Sequence, residues 1–75
     1  MLYKPGDRIL VKILGFHSGI IPAVVVRLDN NDNIIPYFVD FEDVVLNFHL
    51  NRWVREKSIV GYDIKQLIRE VLDEV

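Results

Sequence analysis

A chain of 75 residues, 51% of them apolar, is one domain close to the smallest that buries enough surface to fold alone. Nine basic and eleven acidic residues give a formal charge of −2, which argues against a protein whose main business is non-specific grip on phosphate backbones. Without cysteine there is no disulfide and no thiolate zinc site, a composition that suits an intracellular protein. The longest apolar run, GIIPAVVV, contains a proline and is far short of a membrane span; MLYKPGDR has no signal-peptide apolar region.

Pro5-Gly6 is turn chemistry. From Asp7 to Leu14 the sequence alternates, with Ile9, Val11 and Ile13 on one face and Arg8 and Lys12 on the other, so a half-buried strand is predicted. GFHSG, bracketed by two glycines, reads as a loop. Ile20 to Leu28 is β-branched and almost continuously apolar, which predicts a strand covered on both sides, with Pro22 near its start or at a bulge.

Asp29 to Asn33 is a turn, because Asn and Asp bond their own main chain. A third strand follows over 34–41 and completes a hairpin, with Tyr37, Val39 and Phe41 on one face and Phe38 and Asp40 on the other. EDVVLNFHLN reads as a loop with a helical turn, and RWVREKSIV as one or two short strands.

After Gly61 the period changes. Ile64, Leu67, Ile68, Val71, Leu72 and Val75 fall on one face of a helix. Asp63 is its expected N-cap, with Gln66 at capping-box spacing. The late acids Glu70, Asp73 and Glu74 oppose the helix dipole, so the helix is expected to depend on docking. Its apolar face is expected to pack on the barrel; through Val71 and Val75 it is also suited to pairing two copies, and oligomeric state stays open. The predicted fold is mostly β: a small SH3-like barrel of about five short strands over residues 1–60, with one C-terminal α-helix over 61–75 packed on it in the same domain.

Catalytic chemistry is sparse. His17 and Ser18 are adjacent and point apart, so they make no easy nucleophile–base pair. His17 and His49 with Asp40 or Asp43 lack recognisable metal-ligand spacing. Glu42-Asp43 reads as turn surface rather than opposed catalytic carboxylates. With no P-loop and no dinucleotide fingerprint, no cofactor is expected and the chain reads as a non-enzyme.

The segment PYFVDFEDVVLNFHLNRWVREKSIV resembles the closing half of a chromo barrel domain, as found in the MRG and male-specific-lethal families and in MYST acetyltransferases. Tyr37 to Phe41 matches the family's aromatic-aliphatic strand and Leu50 to Val54 its Trp-Val signature; YKPGDRILVK and Ile21 to Val25 match the first two strands. The resemblance covers nearly the whole chain, and Tudor domains share the VDFED-like strand end. It implies a methyl-lysine cage at Ile21, Phe41, Val44 and Leu50, of which only Phe41 is aromatic, and a structural role for Trp53 under the barrel. Phe48 is a possible extra cage wall. Each ring of a working cage contributes ~0.5–2 kcal/mol, so one ring beside three aliphatic side chains implies a lost or weak cage.

The expected function is therefore a non-catalytic, chromatin-associated docking adaptor in a histone-modifying complex, nuclear if the resemblance holds. Its partners would be protein subunits of that complex, or a histone tail, with no membrane. The alternatives are a residual methyl-lysine reader, an unrelated SH3-like binding domain of phage or bacterial origin, or a nucleic-acid-binding barrel. The last would use a basic patch of Arg27, Arg52, Arg55 and Lys57, which neighbouring acids dilute.

Overall fold

The computed structural model describes residues 2–15, 19–31 and 34–73; of Gln66, Arg69, Glu70 and Asp73 it describes the backbone only. In chain order the elements are β1 (Arg8–Lys12), β2 (Ile20–Leu28), β3 (Tyr37–Phe41), a one-turn helix α1 (Leu46–His49), β4 (Trp53–Val54), a 3₁₀ turn (Glu56–Ser58), β5 (Ile59–Tyr62) and α2 (Ile64–Asp73). The five strands form one antiparallel sheet in the order β4-β3-β2-β1-β5, curled into a half-barrel. This is the mostly β fold that the alternating patterns predict.

The entry into β1 is chemically determined. The Asp7 N–H donates to the Lys4 carbonyl at 3.1 Å, closing a turn whose centre is Pro5-Gly6. Gly6 has φ of 92°, the positive value a type II turn demands at that position. Buried Asp7 accepts the Lys4 N–H on Oδ2 at 3.0 Å, so its carboxylate serves the turn. At the other end of β2, Asp29 Oδ1 accepts the Asn31 N–H in the expected Asx turn; residues 32 and 33 of that turn lie outside those described.

The concave face holds the core. Ile9 and Val11 of β1, Ile21, Ala23 and Val25 of β2, and Tyr37, Val39 and Phe41 of β3 point inward, joined by Val54 and Ile59. The two-residue period of β1 and β3 is thus realised as read. β2 differs from expectation: Ile20 and Val26 are exposed, and only alternate residues are buried. A single curled sheet has one interior, so its central strand is covered on one side, however β-branched its sequence.

β3 begins at Tyr37 rather than Ile34. Pro36 has no N–H to give a ladder, but its carbonyl accepts from Asp29 N–H at 2.8 Å and closes the hairpin there. The segment after Trp53 resolves into two strands separated by the 3₁₀ turn, and β5 runs on through Gly61 and Tyr62. The helix therefore starts later than residue 61.

Asp63 is buried and its Oδ1 accepts the Lys65 N–H at 3.2 Å, while its own N–H donates to the Arg8 carbonyl at 2.9 Å. The predicted N-cap is thereby also the bolt between α2 and β1. The reciprocal capping contact from Gln66 rests on a side chain outside those described. A Lys65–Glu42 ion pair adds a second tie, to the residue that follows β3. Beyond these ties the apolar face of α2 is uncovered: Ile64, Leu67, Ile68, Val71 and Leu72 are all exposed. The expected packing of that face against the barrel is not seen, because the helix is held by its first turn. Glu74 and Val75 lie outside the described residues.

Candidate functional site

The positions assigned to a methyl-lysine cage do not share one environment. Phe41 is 2% exposed, with its side chain in the core beside buried Ile21, whereas Val44 is exposed and Phe48, on α1, is 83% exposed. Leu50 is half-buried and packs against the core. A ring so deeply buried as Phe41 offers no open face to a cation arriving from solvent.

What holds this corner is a residue that pattern reading passes over. Asn47 Oδ1 accepts the Phe41 N–H at 2.9 Å and its Nδ2 donates to the Phe41 carbonyl at 3.4 Å. The side-chain amide thus completes the ladder at the end of β3, as a neighbouring strand would. The Asx turn at Asp43, whose Oδ1 accepts the Val45 N–H at 3.1 Å, leads the chain into α1. The acidic pair is accordingly structural: Asp43 makes the turn and Glu42 pairs with Lys65.

On the outer face the register sets Arg27 of β2 opposite Phe38 of β3, and Phe38 opposite Trp53 of β4. The Phe38 and Trp53 rings lie 5.0 Å apart at a tilt of 52°. Arg27 Cζ sits 4.6 Å from the Phe38 ring centroid, and Arg52 Cζ 4.4 Å from it. Arg52 also pairs with Asp40 and donates from Nε to the Val39 carbonyl at 2.9 Å. Of the four basic residues singled out, the fold brings Arg27 and Arg52 together over aromatic rings. Arg55 and Lys57 sit elsewhere, flanking Glu56. Trp53, expected to pack beneath the barrel, is half-buried and faces this outer row instead, because in a two-residue strand Val54 takes the inward position.

Trp53 also walls a groove of about 420 Å³ between the end of β1 and β4. Its apolar surface comes from Ile13, Leu14, Ile35, Leu50 and Val54, and its two cations are Lys12 and Arg55. β4 is an outermost strand of the sheet, paired only with β3, so the groove runs beside a strand edge with no further strand on it among the described residues. Sequence reading missed this groove because its walls come from segments that are distant in the chain.

His49 is exposed on α1, and His17 and Ser18 lie outside the described residues. Among the described residues no three histidine, aspartate or glutamate side chains converge as a metal site would need. No helix is long and apolar enough to cross a membrane.

The geometry defines a small curled β half-barrel with an apolar, cation-bearing groove along one edge. Compared with protein-family models, curated proteins and solved structures, the chain matches none.

Proposed function

We propose that this chain is a non-catalytic docking module that holds an extended peptide along β4. The observation that carries the reading is the groove itself: an outermost strand, an aromatic wall in Trp53, an aliphatic floor, and cations at Lys12 and Arg55. The Trp53 N–H already donates to Asn51 Oδ1 at 3.0 Å, so a peptide beside this two-residue strand is held chiefly by side-chain selection in the adjoining pocket. The matching ligand is a peptide with an apolar anchor and a carboxylate within reach of Lys12 or Arg55.

In its finer form the partner is a protein subunit of a histone-modifying complex and the module works in the nucleus. That form rests on the resemblance of Tyr37 to Val60 to chromo barrels. A histone tail suits the groove less well, since Lys12 and Arg55 repel its lysines.

Amide chemical shifts recorded during three titrations test the reading: peptides selected from a random library, histone-tail peptides with and without methyl-lysine, and a short DNA duplex. Shifts at Ile13, Leu50, Trp53 and Arg55 with a selected acidic peptide, lost in Arg55→Glu, support it. Methylation-dependent shifts at Phe41 and Phe48 would install the reader function instead. Salt-sensitive shifts at Arg27 and Arg52 with DNA would install a nucleic-acid platform.

A further inference from the structure

The groove along β4 does not end at Arg55. A second depression, of about 260 Å³, shares that residue as a wall and is completed by Ile34, Glu56 and Lys57. Ile35 of the groove and Ile34 of the depression are neighbours in the chain, so the two hollows meet along both of their sides and form one continuous surface. Ile34 is 68% exposed and offers an apolar side chain to a ligand that has passed Arg55.

The charges on this surface are unbalanced. Two ion pairs form among the described residues, Arg52–Asp40 and Lys65–Glu42, which leaves Lys12, Arg55 and Lys57 as exposed cations with no acid paired to them there. No Asp or Glu lines the groove. In sequence Glu56 stands between Arg55 and Lys57, but it pairs with neither. Its Oε1 accepts the Tyr37 hydroxyl at 2.7 Å and the Leu2 N–H at 3.3 Å. Three cations against one committed anion make the surface net positive, on a chain whose formal charge is −2. Binding surfaces and their ligands carry complementary potentials, so this one selects acidic chemistry. It also offers cations in two places: Lys12 and Arg55 in the groove, and Lys57 beyond it.

We infer that the peptide in the groove continues past Arg55 and sets a second carboxylate against Lys57, so that the ligand class is a peptide whose apolar anchor is flanked on one side by two acids. This rests on the docking reading above and adds to it the course of the peptide and the part played by Lys57, which lies outside the groove. A ligand with a single acid would leave Lys57 unused.

Fluorescence of Trp53, the chain's one tryptophan and a wall of the groove, reads the binding. A peptide selected on the full chain, with one aspartate beside its apolar anchor, is lengthened on that side. A second aspartate, or asparagine as the control, is then placed at each added position in turn. At about 0.15 M salt one such position is expected to bind about threefold tighter with aspartate than with asparagine, the gain of an exposed charge pair. Lys57→Gln is expected to abolish that gain and Lys57→Glu to invert it, while both variants bind the one-acid parent within about twofold of wild type. Lys57 is exposed on the 3₁₀ turn, and the barrel amide shifts of each variant check that the fold persists. If the parent binds and no added aspartate tightens it, or if the gain survives Lys57→Gln, the inference falls and the docking reading stands. If no selected peptide changes the Trp53 signal at millimolar concentration, both fall. A response to a single-stranded oligonucleotide and to no peptide would give the surface to nucleic acid and overturn both.

Discussion

The Tyr37 hydroxyl donates to Glu56 Oε1 at 2.7 Å, and the same hydroxyl accepts the Tyr3 N–H at 3.4 Å. Glu56 Oε1 accepts the Leu2 N–H as well, at 3.3 Å. The N-terminal segment, β3 and the 3₁₀ turn are thereby joined at one point. The Tyr3 ring packs edge-on against Tyr37 and Tyr62, with centroids at 5.7 and 5.2 Å, and extends the junction to β5. Since β4 and β5 are not paired in the sheet order, these tyrosines bridge the gap that strand pairing leaves. Tyr37→Phe keeps the buried ring and removes only the donor. It is expected to lower the thermal midpoint by several degrees without changing the fold, as followed by circular dichroism.

The same pair sets a pH dependence. The Tyr37 hydrogen bond, helped by the Leu2 N–H, lowers the Glu56 carboxyl below its ordinary value of 4.5. A carboxyl lowered on folding contributes stability that is present above pH 4.5 and lost as pH falls through the lower folded value. Tyr37 is shifted the opposite way: burial first, then Glu56, raise its phenol above 10. Its contribution is present below pH 10 and lost as pH rises through the higher folded value. Urea midpoints measured from pH 7 to 3 are therefore expected to fall less steeply in Glu56→Gln than in wild type. Parallel acid limbs would show that Glu56 has no folded-state shift.

Much of this architecture is legible in the residues, and the exceptions have physical reasons. The alternation of Ile9 and Val11, and of Tyr37, Val39 and Phe41, announces strands with one buried face, since a two-residue period has no other use. Asp63 announces the start of α2. β2 misleads, because continuous β-branching says that a segment is extended and not how many layers cover it. The face of α2 misleads differently: an apolar stripe gives the period of a helix, not whether a surface of the same chain covers it. The groove was not legible at all. Ile13, Leu50 and Arg55 meet only through the sheet order, which no local pattern encodes.

Asn47 gives a sharp test of the corner at the end of β3. Its amide serves both the N–H and the carbonyl of Phe41. Asn47→Ala strands both groups and is expected to cost about 1–3 kcal/mol in urea unfolding. Asn47→Asp keeps an acceptor for the N–H but presents an anion to the carbonyl, so it is expected to destabilise as well. A silent alanine variant would mean that water replaces the amide at no cost.

The two phenylalanines of this corner are expected to behave in opposite ways. Phe41 fills the core at 2% exposure, and Phe48 lies on α1 at 83%. Removing a buried ring costs about 3–5 kcal/mol, a large share of the roughly 5 kcal/mol at the lower end of domain stability. Phe41→Ala is therefore expected to leave no more than about 2 kcal/mol of stability, read as a large fall in the urea midpoint. Phe48→Ala is expected to shift stability by no more than about 0.5 kcal/mol, as an exposed side chain should. The comparison also separates the core role of Phe41 from a cage role. Phe41→Leu keeps an apolar core filler and removes the ring, so a cage would lose cation binding while the fold survived. If Phe41→Leu and wild type give the same chemical shifts with methyl-lysine peptides, the ring serves packing and not recognition.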